Sequence, residues 1–324
     1  MTIRPFNYTD EDYEALASTL NTLWPDRPTV PQAMKEHDKR RDPKYFFQRL
    51  VVDEGGEILA VGGCGESDWT HVPGKFFIMV QVHPDNQRQG IGTKLYDRIM
   101  SDLSERSPTI FQSHAREDRP EGMDFLEKRG YKRTLREQMA QLLVADFDPA
   151  PFAWTARQME KTGVEIRTVA ELEAAGVEWK HEMWELEYEL LQDVPTDDPV
   201  TKQPFERWVD WHTHPSFTPE AYFIAIKDGR FVAVTSLWQS MAEKDMLHTE
   251  LTGVVKSLRR KGIATALKVR AIEFARERGA RAIKTENEEN NPMYDLNVRL
   301  GFKPIPAWWT YRKELNNTNG DTEP

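Results

Sequence analysis

Apolar and polar residues follow two rhythms along the chain. Over 222–226 and 231–237 apolar residues run or alternate on either side of Lys227-Asp228-Gly229-Arg230, which predicts a β-hairpin turning at Asp-Gly. A strand over 248–255 and a basic loop follow, and then the spacing changes. Ile263, Leu267, Ile272 and Phe274 recur at helical intervals between 262 and 278, and Gly279 ends that helix. A strand over 282–286, a helix opened by Pro292 and a strand over 308–313 complete the second set. The same order stands earlier in the chain, as a strand over 77–82, a helix over 90–105, a strand over 109–112, a helix ending at Gly130 and a strand over 139–144.

The second set rewrites the first. Val82 aligns with Val254, Gly90 with Gly262 and Gly92 with Ala264, each 172 residues later. Leu95 matches Leu267, Gly130-Tyr131 matches Gly301-Phe302, and the run from Gly56 to Val61 matches the run from Gly229 to Val234. Register kept over so many elements marks a tandem duplication. Pro149 and Pro151 break the pattern between the copies, so the expected domains are 1–147 and 163–315, joined by a linker over 148–162. The polar tail over 316–324 is expected to be disordered.

Composition narrows the function. A chain of 324 residues holds enough apolar material for two cores. No window approaches 18 uninterrupted apolar residues, so a membrane span and a secretory signal are not expected and the cytoplasm is. The net charge of −10 divides evenly, with 20 Lys plus Arg against 25 Asp plus Glu up to residue 150. Neither half has the concentrated cationic surface that a nucleic acid requires. The single cysteine, Cys64, makes neither an internal disulfide nor a cysteine-rich metal site, and is expected to be a small buried hydrophobe.

The loop between strand and helix carries the chemistry. Small residues at Gly90 and Gly92, and at Gly262 and Ala264, let a ligand approach the backbone, and the first N–H groups of the following helix point at it with the positive end of the dipole. Such a cradle fits a diphosphate. The segments resemble the pyrophosphate motif Gln/Arg-x-x-Gly-x-Gly/Ala of the GNAT superfamily of N-acetyltransferases, and Gly130-Tyr131 and Gly301-Phe302 resemble the close of that family's next motif. The resemblance spans both halves, in a two-domain layout comparable to that of mycothiol synthases. It implies the α/β (α+β) class and two tandem GNAT folds, each a mixed, splayed β-sheet flanked by helices, with acetyl-CoA as cosubstrate and no metal.

Carried over by position, the resemblance implies that Val82 and Val254, with Val255, meet the pantetheine arm. Gln87, Arg88, Gln89, Gly90, Ile91, Gly92 and Thr93 would wrap one pyrophosphate, and Arg259, Arg260, Lys261, Gly262, Ile263, Ala264 and Thr265 the other. Counted back from the glycine, the family's Asn-x-x-Ala-x-x-x-Tyr falls on Asn290, Met293 and Asn297 in the second copy, and on Arg119, Gly122 and Leu126 in the first. The tyrosine that protonates the departing thiolate in many members is therefore Asn297 here. Its amide is expected to hydrogen-bond near the sulfur, with Asn290 near the pantetheine.

Transfer to an amine also needs a proton acceptor. Glu250 precedes Val254 by four residues, and strict alternation puts Glu250, Thr252 and Val254 on one face. A glutamate on this strand is often the family's general base, whereas the first-copy counterpart, Ile78, takes no proton. The second domain is therefore expected to be catalytic, and the first degenerate though still able to bind coenzyme A. For the acceptor, Glu178, Glu182, Glu185 and Glu189 form one helical stripe and Trp179, Met183, Leu186 and Leu190 another. A solvated face and a cation-attracting rim are both open readings of the acidic stripe. Trp184, Tyr188, Asp193, Trp208, Trp211, His212 and His214 gather near it, and two histidines without a third ligand argue against metal. The expected function is acetyl-CoA-dependent N-acetylation of a small amine by direct transfer in a ternary complex, the alternative a non-catalytic acyl-CoA sensor or scaffold. The chain is expected as a monomer with internal pseudo-symmetry or as a homodimer, without nucleic-acid or membrane partners.

Overall fold

The computed structural model describes residues 1–315, and the tail expected to be disordered lies outside them. Contacts divide the chain into two units. Unit 1 holds Met1–Leu135, Asp197–Thr201 and the chain from Trp308, and unit 2 holds Arg136–Thr196 and Lys202–Ala307. In chain order the first copy forms β1 (Thr2–Pro5), α1 (Asp10–Leu23), α2 (Pro31–Lys39), β2 (Phe47–Glu54), β3 (Glu57–Gly65), β4 (Lys75–Val82), α3 (Ile91–Leu103), β5 (Ile110–Arg116), α4 (Pro120–Glu127) and β6 (Lys132–Leu143). The second forms α5 (Trp154–Thr162), β7 (Val164–Thr168), α6 (Val169–Ala174), α7 (Lys180–Leu191), α8 (Phe205–Trp211), β8 (Tyr222–Lys227), β9 (Arg230–Gln239), β10 (Met246–Val254), α9 (Ile263–Glu277), β11 (Ala282–Glu288), α10 (Pro292–Arg299) and β12 (Lys303–Glu314).

The sheets have matching designs. Unit 1 runs β1-β2-β3-β4-β5-β12 and unit 2 runs β7-β8-β9-β10-β11-β6. All neighbours are antiparallel except β4 with β5 and β10 with β11. Asp228 and Gly229 take φ of 50° and 76° in the β8–β9 turn, the left-handed pair that a two-residue hairpin needs. The last strand of each copy departs from the sequence reading, which gave 139–144 to the first copy and 308–313 to the second. In the structure β12 lies antiparallel to β5, with Trp308 opposite Arg116, and β6 lies antiparallel to β11, with Ala282 opposite Leu143. Local periodicity predicts a strand but not its partner, because both sheets offer the same edge.

The parallel pairs are short. β4 and β5 are paired only from Lys75 to Phe77, and β10 and β11 only from Met246 to His248. Each sheet opens into a V past those residues. Helices cover both faces of each unit. Leu95, Ile99 and Leu103 of α3 pack with Phe76 and Ile78, and Tyr13 and Leu16 of α1 pack with Val51 and Val61 on the other face. In unit 2, Ile263, Leu267 and Ile272 of α9 pack with Ala233 and Leu237, while Met183, Leu186 and Leu190 of α7 pack with Tyr222, Ile224 and Val234. No helix among the described residues is long and apolar enough to cross a membrane. Cys64 is buried, and burial pushes its thiol up to about 12.

One core position is unusual. Lys268 of α9 is 3% exposed with the Phe302 ring 5.5 Å from its ammonium, and burial pushes its pKa down to about 7. The unfolded chain binds this proton up to about pH 10.4 and the folded chain does not, so stability rises with pH between those values. Lys268→Met is expected to raise the unfolding free energy at pH 7 by a few kcal/mol, at about 1.4 kcal/mol per pKa unit, and the denaturant midpoint with it. The gain disappears above pH 10.5 or so, and a pH-independent difference in chemical denaturation contradicts this reading.

Candidate active site

The loops that follow β4 and β10 have one backbone conformation. Gln87 and Arg259 are extended at φ, ψ of −68°, 160° and −64°, 159°. Arg88 and Arg260 both enter the left-handed region, at φ of 61° and 62°. Gly90 and Gly262 follow at 79°, 0° and 84°, 2°, each standing as the N-cap of its helix. A non-glycine residue held left-handed costs roughly 1–2 kcal/mol. The same strain at Arg88 and Arg260 marks a constraint kept through the duplication. Side chains close the loops alike. Gln87 Nε2 donates to the Val82 carbonyl at 3.1 Å, and Arg259 Nε donates to the Val254 carbonyl at 2.9 Å. No side chain among the described residues caps the N-terminus of α3 or α9, so their first-turn N–H groups remain available to an anion.

The surroundings of the two loops differ. A Cβ at Gly90 would meet nothing within 4 Å, and Arg88, Gln89 and Thr93 are exposed. Arg129 adds a cation there, donating to Thr93 Oγ1 at 2.9 Å. Ile91 is buried beneath, and Gly92 lies against Val82. At Gly262 the benzo ring of Trp154 lies 2.7 and 2.8 Å from where a Cβ would stand. Asp193, just past α7, ion-pairs with Lys256 at 2.8 Å and with Arg259. Those cations hold Asp193 below the usual carboxylate range. Arg260 and Lys261 are exposed, Ile263 is buried, and Ala264, Thr265 and Val255 are half-buried. On the flank of α9 an apolar groove of about 540 Å³, lined by Phe152, Met159, Ala266 and Val269, lies apart from the V.

The two Vs differ on their fourth and tenth strands. Ile78 stands opposite Cys64 in unbroken register and is 1% exposed. In unit 2, Thr249 stands opposite Leu237 but Thr252 opposite Thr235, so Glu250 and Leu251 share one residue of β9. This bulge breaks the alternation that the sequence reading used. Thr252 and Val254 stand opposite Thr235 and Ala233, with Ala233 and Val254 in the α9 core. Leu251 packs instead with the α7 cluster, and Glu250, next to Thr249, points to that side too. Glu250, Thr252 and Val254 therefore do not share a face.

Glu250 is reached by water but walled in by protein, and this desolvation, with the charges of Glu286 and Glu187, raises its pKa to about 7. Glu187 was missed in the sequence because it belongs to neither helical stripe. It accepts hydrogen bonds from the Tyr222 hydroxyl and Trp208 Nε1. Burial, followed by Glu187, keeps the Tyr222 phenol protonated far above its ordinary value. Rings line this side closely, with centroids 3.8 Å apart for Trp208 and His212, 5.7 Å for His212 and Tyr222, and 6.0 Å for Phe217 and Trp238. His212 Nδ1 donates to the Trp208 carbonyl at 2.7 Å, and burial lowers the pKa of the ring. His214 Nδ1 accepts from the Ser216 amide.

Other expected residues lie elsewhere. Asn297 is 0% exposed and its Nδ2 donates to Asn287 at 2.7 Å. One of its two amide hydrogens is thus used, its Oδ1 is buried without a partner among the described residues, and no part of the side chain is open to solvent. Asn290 is exposed and donates to Glu288. Glu182 and Glu185 of the acidic stripe pair with Arg230 and Lys202, which is the solvated-face reading. Trp179, Met183, Leu186 and Leu190 are core. Replacing Glu187 by Gln removes one negative charge near Glu250, and the Glu250 carboxyl is expected to titrate below 7 while staying above an ordinary glutamate, because desolvation remains. Carboxyl-carbon NMR reads this, and an unchanged or higher titration point contradicts the placement.

The profile of the acetyltransferase (GNAT) family matches residues 11–131 and again 180–302. None of the curated protein sequences matches the chain. Among solved structures, a tandem GNAT protein from the clavulanic acid biosynthesis pathway superposes with a TM-score of 0.74 at 18% identity, over 97% of this chain and 98% of that one. A GCN5-related N-acetyltransferase from Sphaerobacter thermophilus superposes with a TM-score of 0.70 at 19% identity, over 97% and 95%. One from Kribbella flavida gives 0.52 at 16%, over 93% and 95%. These likenesses are of fold. With its twin loops, twin Vs and two matches to the family profile, the chain belongs to the GNAT family of acetyltransferases, whose unit it carries twice, and acyl transfer is its chemistry.

Proposed function

We propose that unit 2 transfers an acetyl group from acetyl-CoA to a small cationic amine by direct attack in a ternary complex. The observation that carries this reading is the bulge at Glu250, which turns a carboxyl titrating near 7 into the mouth of the V beside an aromatic wall. A base with that pKa is partly ionised at neutral pH and still strong enough to take the proton of the attacking nitrogen. Past His248 the strand has left β11, so backbone N–H groups of the bulged stretch lie outside that ladder and can polarise the thioester carbonyl. The loop from Arg259 to Thr265 would hold the diphosphate through its left-handed turn and the uncapped start of α9. Lys256 and Arg259 add charge once Asp193 yields to it. A thiol with a pKa of about 8.5 leaves without an obligatory acid, so the sealed position of Asn297 is compatible with transfer.

The acceptor class follows from the wall. The half-buried Glu187, His212 and Trp238 lie on the same side as Glu250, with Trp208 and Tyr222 buried behind them, and carboxylates beside ring surface favour an organic cation. In unit 1 the open loop at Gly90 favours coenzyme A binding, while the buried Ile78 supplies no base. The sensor reading therefore fits unit 1 alone.

A thiol-release assay with acetyl-CoA and a panel of amines tests the proposal. Glu250→Gln is expected to lower kcat about 100-fold or more while calorimetric binding of acetyl-CoA is kept. The wild-type kcat should rise with pH up to about 7 and then level, an inflection absent from the Gln variant. Tight binding without turnover for any amine contradicts catalysis. Asp193→Asn should lower the KM for acetyl-CoA at most about fivefold, the scale of an exposed ion pair, with kcat unchanged, and a raised KM contradicts the competition between Asp193 and the diphosphate.

A further inference from the structure

Two indoles and three guanidiniums meet in unit 1, and part of their donor capacity is unused. Trp24, just past α1, and Trp308 of β12 have ring centroids 5.2 Å apart, inclined at 51°. The Arg116 guanidinium lies 4.8 Å from the Trp24 centroid and 6.0 Å from that of Trp308, Arg119 lies 5.7 Å from Trp24, and Arg27 lies 5.4 Å from Trp308. Arg116 is satisfied, by Asp118 at 2.6 and 3.0 Å and by Asp26 at 2.7 Å. Arg119 gives one terminal nitrogen to the Leu23 carbonyl at 3.4 Å. Trp24 Nε1, Trp308 Nε1 and Arg119 Nε are buried with no acceptor among the described residues.

A buried donor left unmade costs roughly 1–3 kcal/mol, so three around one pair of rings call for an acceptor. All three are donors. A water offers two acceptor sites but brings two protons that need acceptors of their own, whereas a carboxylate only accepts, with about four lone-pair sites. The donors are flat groups set against flat rings, which suits a planar anion better than a tetrahedral one, and a guanidinium strengthens the bond to it. The site's place in the fold points to a ligand as well. Trp308 stands opposite Arg116 on β5, beyond Gln112, where β4 has already left β5. The cluster thus lies along the part of β5 that β4 has left, while in unit 2 Glu250 stands beside the charges of Glu187 and Glu286.

We infer that unit 1 binds a small carboxylate at Trp24, Trp308 and Arg119. With Ile78 in place of a base, the site holds this ligand and does not transform it. The inference does not depend on transfer in unit 2.

The full chain is titrated with succinate, and separately with inorganic phosphate at matched ionic strength, read by tryptophan fluorescence and calorimetry. Saturable succinate binding is expected, with weaker phosphate binding. Trp24→Phe keeps the ring and loses the donor, and Arg119→Lys keeps the charge and loses Nε. Each is expected to weaken succinate at least tenfold. Succinate should raise the melting temperature of the wild type but not that of Trp24→Phe. No saturable signal, phosphate binding as tight as succinate, or succinate binding unchanged in both variants overturns the assignment.

Discussion

Everything in this molecule depends on the early parting of two parallel strands. Backbone groups inside a sheet are satisfied by their neighbours, and a site made of backbone can exist only where that pairing ends. β4 leaves β5, and β10 leaves β11, after three residue pairs. The chain then turns through a left-handed loop into a helix with uncapped N–H groups. Parting supplies the cleft and the loop supplies the positive end of a dipole. Neither is the work of a charged side chain, so a net charge of −10 is no obstacle to the anion binding proposed for these loops.

Duplication gave both units this frame, and small local changes gave them different surroundings. One extra residue in β10 separates the units more than any single substitution does. It turns Glu250 out of the α9 face toward the rings of the α7 side, while Ile78 stays locked opposite Cys64. The loops diverge through their covers. Trp154 and Asp193 close on the second, and the first stays open with Arg129 beside it. The loop in the unit of Glu250 is therefore covered, and the open loop belongs to the unit of Ile78.

Much of this was legible in the sequence because it is local. The helix periodicity around Leu95 and Leu267, the Asp228-Gly229 turn, the two glycine loops and the duplication itself are written in neighbouring residues. The partners of β6 and β12 were not legible, since an edge strand's choice between two equivalent sheets is a long-range matter. The face of Glu250 was misread because alternation assumes an unbroken ladder, and no residue type announced the bulge. Glu187 escaped notice because its role depends on Tyr222 and Trp208, 35 and 21 residues away. Asn297 looked available by its place in a motif and is in fact enclosed, a matter of packing between α10 and β11 that spacing does not encode.

The most direct test of the central claim is a crystal structure of the chain with coenzyme A bound. The account predicts the diphosphate on the backbone N–H groups that follow Arg88 and Arg260, with Asp193 withdrawn from Arg259 in unit 2 and the sulfur at the mouth of the β10–β11 V within reach of Glu250. Coenzyme A bound away from both loops, or seated in unit 2 with its sulfur remote from Glu250, would contradict it.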